Sequence, residues 1–369
     1  MYVTGEIDKA IDALELWRRT YPSDPVAAIN LADTLERTGQ SERAAAAARG
    51  AIRLNPSIAV GYLNLVAALI LLNRYAEVKE TVWQAIEKDL DNGYFHHFLY
   101  SVAVIEREEA AMAESLKWFS GRSDEYIALD LKTGRAAFCG SWRAAQDLSR
   151  RAIDLAGRSN AGEIAARYAA EQALRIVFWS DGSGLPKGDT GRLKIVLKVQ
   201  TKKALEFGGN QDIAARAALA LAAAGQTDEA GALIDELHTE RPKDTLLNEL
   251  WLPLARAAGL LFNGKAKEAV HELEPTERFE KAASFYPQYL RGLAYMHLGR
   301  PTAAIREFDK ILGHRGEAPL SSIYPLTQLA KARASKDKAE YEKFFDLWKD
   351  ADPDMPALVA AKAEFEALS

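Results

Sequence analysis

Residues 5–22, GEIDKAIDALELWRRTYP, and residues 39–56, GQSERAAAAARGAIRLNP, are two versions of one pattern. Gly5, Ala10 and Pro22 return as Gly39, Ala44 and Pro56, each 34 residues further on. A small residue suits a tight turn, a second small residue lets two helices touch, and a proline marks where the second helix stops. A helical hairpin of this size leaves an apolar face uncovered until a neighbour stacks on it. The pattern predicts an all-α array of stacked hairpins, a scaffold that binds rather than catalyses.

The unit between the two stretches is the cleanest. Ala28, Leu31, Ala32 and Leu35 share one helical face, Gly39 turns the chain, and Ala44, Ala48 and Ala51 line the returning helix. Asp24 before Pro25 supplies an N-cap followed by proline at the first helical position. The next unit keeps the register with Tyr62, Leu65, Leu69, Asn73, Ala85 and Leu90, where asparagine replaces the turn glycine. Gly93 to Gly121 reads as a degenerate but helical fourth unit, and Ala136, Gly140, Ala145 and Ala152 restore the pattern. Ala165–Trp179 predicts the first helix of a sixth unit, and Ser180–Thr190, rich in Gly, Ser and Pro, a loop or hinge. Further units centre on Gly225, Gly264 and Gly299, and a helix pair from Ser322 to Trp348 precedes a closing helix over Ala357–Leu368. The expected organisation is an N-terminal array over 1–181, an irregular segment over 182–190 and a C-terminal array over 191–369. Gly5 sits at a turn position, so Glu6–Thr20 reads as the second helix of a repeat without its first. Met1 is then expected to be a start inside a longer protein, the alternative being that this helix is itself a cap.

Composition narrows the function classes. A hydrophobic fraction of 48% sustains a continuous core, and a formal net charge of -5 gives no global attraction to nucleic acid or anionic lipid. The single cysteine, Cys139, excludes an internal disulfide and fits a reducing, cytoplasmic setting. The acidic N-terminus lacks the basic-then-apolar order of a signal peptide, and the run Leu63–Leu72 is about half the roughly 20 residues needed to span a bilayer. No membrane insertion is expected.

The 34-residue signature resembles the tetratricopeptide repeat, and the fold it implies is a right-handed superhelix of about nine helix–turn–helix repeats plus a C-terminal helix. Two further stretches carry a narrower resemblance: FYPQYLRGLAYMHLGRPTAAIREFDKILGHRG (Phe285–Gly316) and WKDADPDMPALVAAKAEFEAL (Trp348–Leu368). With the opening Val3–Ala32, they look like the repeat region carried C-terminal to bacterial serine/threonine kinase domains and sometimes behind winged-helix DNA-binding domains. The resemblance implies a regulatory or partner-recruiting region of a larger signalling protein. A stand-alone adaptor or oligomerisation scaffold is the alternative, and homo-oligomerisation stays open. Residues 182–203 and the short turn at Ser335–Lys338 depart from the family pattern, and no catalytic residue carries over.

Catalytic and metal chemistry find no support in the residues. Gly182, Gly184 and Gly188 before IVLK miss the spacing of a kinase glycine loop, and no HRDxxxxN or DFG follows. His96 and His97 diverge by about 100° around a helix, while His238, His271, His297 and His314 are isolated, so no metal and no cofactor are expected. Cys139 beside Gly140 reads as a small buried thiol. Lys187, Arg192, Lys194, Lys198, Lys202 and Lys203 form the basic cluster, read as a solvated helix face, so no nucleic acid is expected.

A protein or peptide partner remains. In such an array the first helices of successive repeats line the concave surface. By register the groove comprises Val26, Ile29, Asp33 and Glu36, then Val60, Leu63 and Ile70, then Tyr94 and His97, with Tyr286 and Tyr289 as an aromatic patch towards the C-terminus. Apolar residues stand where a peptide-terminus clamp would carry lysines, which argues against that mode.

Overall fold

The computed structural model describes residues 4–179, 200–206 and 210–368. Its described residues are all-α, a solenoid of helical hairpins, and they fall into two compact units. The segment expected as a hinge, 182–190, and most of the basic cluster lie outside the described residues, as does the junction between the two expected arrays.

The first unit contains residues 1–122 together with Lys243–Leu246 and His314–Pro319. Its helices are α1 (Ile7–Thr20), α2 (Pro25–Glu36), α3 (Ser41–Leu54), α4 (Ala59–Leu71), α5 (Tyr75–Ile86), α6 (Gly93–Glu106) and α7 (Glu109–Lys117). The starts of α2, α4 and α6 are 34 residues apart, as the echo requires. So are the turn residues Gly5, Gly39, Asn73 and Arg107, all left-handed with φ between 57° and 74°. Arg107 takes the glycine position of the repeat that read as degenerate. Its N–H closes α6 by donating to the Ala103 carbonyl, and a residue with a Cβ bears a modest cost in this conformation.

Alanine does much of the packing. Ala44, Ala48 and Ala51 are buried where α3 meets its neighbours, and Leu31, Leu35, Tyr62, Leu65, Val66, Leu69, Val78, Val82 and Phe95 continue one core across the hairpins. Asp24 caps α2 by accepting from the Val26 N–H at 2.9 Å. Asn64 Nδ2 donates to the Ile29 carbonyl at 2.9 Å, tying α4 to α2.

Two distant segments complete this unit. The Thr245 N–H donates to the Gly5 carbonyl at 3.1 Å, and Thr245 Oγ1 accepts from the Ile7 N–H at 3.2 Å, satisfying an otherwise orphaned donor at the start of α1. The Gly316 N–H donates to Asn73 Oδ1 at 3.0 Å, while the Arg315 guanidinium donates to the Val104 and Ile105 carbonyls, both at 3.3 Å, at the C-terminal end of α6. A cation there satisfies last-turn carbonyls and complements the helix dipole. A Cβ on residue 316 would lie 1.8 Å from the Ile70 carbonyl oxygen, so only glycine lets the two backbones approach.

The second unit contains Ser123–Pro242, Leu247–Gly313 and Leu320–Ser369. Its helices are α8 (Tyr126–Phe138), α9 (Trp142–Arg158), α10 (Gly162–Trp179), α11 (Gln211–Ala223), α12 (Thr227–Glu240), α13 (Leu252–Phe262), α14 (Ala266–Glu272), α15 (Tyr286–His297), α16 (Pro301–Leu312), α17 (Ile323–Ser335), α18 (Lys338–Leu347) and α19 (Pro356–Ala367). Residues 200–206 are helical as well. Left-handed turns at Gly140, Gly225, Gly264, Gly299 and Lys336 separate paired helices. The last pair, α17 and α18, has the short turn that the sequence indicates. A wide π-turn over Leu247–Trp251 leads into α13, and 3-10 turns over Glu274–Ala282 follow α14.

The Trp348–Pro356 stretch closes on the Gly140 turn. Trp348 Nε1 donates to the Phe138 carbonyl at 3.1 Å, the Asp352 N–H to the Gly140 carbonyl at 3.1 Å, and Ser141 Oγ to the Asp350 carbonyl at 3.0 Å. Behind them Trp142, Trp179 and Trp348 form an aromatic cluster with centroids 4.8 and 6.1 Å apart. A buried Arg291 donates to Glu307 at 2.9 Å and to Thr276 Oγ1 at 3.1 Å, locking α15 to α16.

Candidate functional site

Repeat register decides which side chains of the first unit face outward. The second residues of α2, α4 and α6 are Val26, Val60 and Tyr94, and each stays open to solvent, at 43%, 46% and 61% of its surface. One turn on, Ile29, Leu63 and His97 are half-buried; Leu63 leans on the core below, and the His97 ring meets Phe98 edge-on at 5.6 Å. Deeper along α2, Asp33 and Glu36 are half-buried as well. Burial pushes the Glu36 carboxyl up to about 7, and the neighbouring Asp33 carboxylate adds to this against the opposing pull of Arg37. The result is an apolar ladder of three rungs beside a carboxyl pair.

Three expected groove residues are not surface residues. Ile70 is buried in the core because it sits near the end of α4, under the backbone of Gly316. Tyr289 is fully buried against Phe178 and Phe308, at 6.0 and 6.5 Å, and Tyr286 is all but buried beside Phe178 at 5.5 Å. Stacking of successive hairpins brings these helix faces inward, which the linear register does not reveal.

Other sequence candidates find ordinary roles. His96 stacks on Trp118 at 4.8 Å and pairs with Asp91 at 2.9 Å, and the Arg122 guanidinium covers the Trp118 ring at 3.9 Å. His238 meets Asn248 and His271 meets Glu274. Lys202 and Lys203 pair with Glu206 and Asp154 at 3.4 and 3.8 Å, while Lys187, Arg192, Lys194 and Lys198 lie outside the described residues. Cys139 is a half-buried thiol in no disulfide at the end of α8, less enclosed than expected. Among the described residues no group of three or more His, Cys, Asp or Glu side chains is arranged to hold a metal ion. No described helix is long and apolar enough to cross a membrane.

The second unit carries a face of different chemistry that the sequence reading missed. Asp130 is the fifth residue of α8, as Ile29, Leu63 and His97 are of their helices. The Arg175 guanidinium approaches it at 4.0 Å, Glu171 pairs with Arg216 at 3.1 Å, and Arg216 lies over the Trp251 ring at 4.2 Å. Arg167 stands over the buried Tyr168 ring at 5.6 Å. Burial raises the Asp130 carboxyl above the usual carboxylate range, against the pull of Arg175 and Arg167. The available signal was the spacing of Arg167, Glu171 and Arg175, which sets alternating charges on one face of α10.

Comparison with known proteins places the repeat. The sequence profile of the tetratricopeptide repeat family matches residues 27–58, which cover most of α2, its turn and α3. No curated protein matches the sequence. Among solved structures, the chain is similar to the P58(IPK) TPR domain at 12% identity, with 98% of this chain and 94% of that chain covered and a TM-score of 0.28. It is similar to yeast Tom70 at 14% identity, with 98% and 92% covered and a TM-score of 0.29. It is also similar to the Cut9–Hcn1 hetero-tetramer of APC/C at 13% identity, with 100% and 86% covered and a TM-score of 0.31. Superpositions this loose leave the fold assignment to the chain's own helical hairpins and to the tetratricopeptide repeat at residues 27–58.

Proposed function

We propose that this chain is a non-catalytic protein-interaction module that takes a segment of a partner protein on the first-helix face of its N-terminal unit. The observation that carries this reading is the exposed ladder Val26, Val60 and Tyr94, repeated every 34 residues. Folding gains nothing from apolar side chains held in water at equivalent positions of three successive repeats, whereas a partner that covers them gains apolar burial. Ile29, Leu63 and His97 widen the contact, and Asp33 and Glu36 supply its polar edge. The resemblance of Phe285–Gly316 and Trp348–Leu368 to repeat regions behind bacterial serine/threonine kinase domains supports a place in a larger cytoplasmic signalling protein.

Affinity capture with the wild-type chain and with a Val60→Asp/Tyr94→Asp double variant tests the reading. At least one protein should be retained by the wild type and reduced about 10-fold on the variant, since two desolvated apolar contacts are worth that much or more. Circular dichroism should stay unchanged because both side chains are exposed. Equal retention of every partner on both proteins would sink the ladder as the site. The signalling context has its own test, the reading frame upstream of the codon for Met1. A kinase or winged-helix domain there supports it, and an in-frame stop codon behind a ribosome-binding site removes it.

A further inference from the structure

A cavity of about 320 Å³ opens within the second unit, where the start of α9, the end of α10 and the stretch leading into α19 meet. Its apolar walls are Trp142, Ile176, Trp179, Met355 and Pro356. The Trp142 and Trp179 rings stand 4.8 Å apart with their planes tilted by 59°, and Trp348 meets Trp179 edge-on at 6.1 Å. Trp179 is fully buried and its Nε1 finds no acceptor, so the ring serves as a wall rather than as a hydrogen-bonding group. Arg143, Asp352 and Asp354 line the same cavity, and two carboxylates against one guanidinium leave an excess of negative charge. Asp352 is committed to the fold, since it accepts from the Arg143 N–H at 2.9 Å at the start of α9. Asp354 pairs with the Arg143 guanidinium, and both side chains of that pair are 66% exposed. An ion pair this open to water contributes little to stability, and a carboxylate has about four acceptor sites, so Asp354 can take a second donor at small cost.

We infer that this cavity is a binding site for a small organic ammonium ion, with Trp142 and Trp179 against its apolar body and Asp354 receiving its charge. Three properties of the lining select that class. Indole faces attract a cation through the ring quadrupole, and they do so more strongly once the ion has left bulk water. The excess carboxylate favours a cation over a neutral molecule of the same shape and repels an anion. Five apolar side chains give the hydrocarbon part of the ligand a surface to leave water for. The volume lies at the lower end of ligand-binding cavities, roughly 300–1,000 Å³, and suits a compact molecule rather than a folded segment. The site lies wholly in the second unit and shares no residue with the apolar ladder of the first.

Calorimetric titration of the full chain with three probes of one shape and different charge decides the matter. Phenethylammonium should bind, 2-phenylethanol at least about 10-fold more weakly, and phenylacetate more weakly still. Asp354→Asn removes an exposed charge and leaves the fold alone. It should weaken phenethylammonium about 10-fold and leave 2-phenylethanol unchanged. Trp142→Leu keeps the wall apolar but removes a ring, and it should also weaken phenethylammonium about 10-fold. If that variant fails to fold, Asp354→Asn decides alone. Val60→Asp, in the first unit, should change nothing. Absence of phenethylammonium binding, equal or tighter binding of either other probe, or indifference of phenethylammonium to Asp354→Asn or to a folded Trp142→Leu overturns the proposal. Dependence of phenethylammonium on Val60 assigns it to the ladder and overturns this site, while leaving the ladder in place.

Discussion

The two units carry opposite chemistries on their helix faces. In the first, the outward residues of α2, α4 and α6 form an apolar ladder, Val26, Val60 and Tyr94, left in water. In the second, α8, α10 and α11 present Asp130, Arg167, Glu171, Arg175 and Arg216 over buried aromatic rings. Neither set is needed to close a core, because alanines, leucines and aromatic residues on the other helix faces do that in both units. Repeat register therefore fixes where a side chain stands and leaves its chemistry free.

Each unit also depends on a clasp from later in the chain, and substitutions there separate the units most sharply. Trp348→Ala empties a fully buried site and removes the hydrogen bond to Phe138, so a loss of about 3–5 kcal/mol is expected. Hydrogen exchange should rise in α8 and α9 and stay unchanged in α2–α5. Equal effects in both regions would mean that the units do not pack separately. Gly316→Ala should cost about 3 kcal/mol, because its Cβ collides with a backbone oxygen of α4 rather than with a side chain that can swing away. The rise in exchange should then appear in α4 and α5.

Glu36 sharpens the contrast in electrostatics. Burial holds its proton up to about pH 7 in the folded chain, while the unfolded chain releases it near 4.5. The folded state binds more protons between those values, so stability falls as pH rises from about 4.5 to 7, by an order of about 1–3 kcal/mol. Glu36→Gln should flatten that slope and stabilise the chain above pH 7, as urea unfolding at pH 5 and pH 8 would report. An unchanged slope would mean that the carboxyl is better solvated than its surroundings indicate. The smallest effect is expected at the ladder itself: Val60→Ala should change stability by less than about 0.5 kcal/mol, since the side chain is half in water. A larger loss would make Val60 a core residue and remove a rung.

Much of the fold is legible in the residues. The echo of Gly5, Ala10 and Pro22 places α1, and the same spacing places α2 to α5, because turn and close-contact positions tolerate few residue types. Arg107 hides the fourth turn, since a left-handed arginine has no signature of its own. The ladder rungs Val26, Val60 and Tyr94 follow from register alone, whereas Ile70, Tyr286 and Tyr289 do not. Whether an apolar residue of a first helix faces water depends on the neighbouring hairpin, and local periodicity is identical in both cases. Asp130 and Arg175 were missed for a related reason: a charge in a helix reads as a solvated face until the rings behind it are known.

The sequence by itself determined the period, the helix pairs and their turns, because these rest on interactions within about 40 residues: caps, left-handed turns and alanine contacts between adjacent helices. Only the tertiary structure decided how distant segments enter each unit. That Arg315 and Gly316 finish the hairpins around Asn73, and that Trp348 and Asp352 finish the turn at Gly140, follows from pairings more than 200 residues apart. No local pattern records such a pairing, since its energy appears only when both partners are already folded. The incompletely bonded guanidinium of Arg175 is of the same kind, a property of what surrounds the residue rather than of the residue.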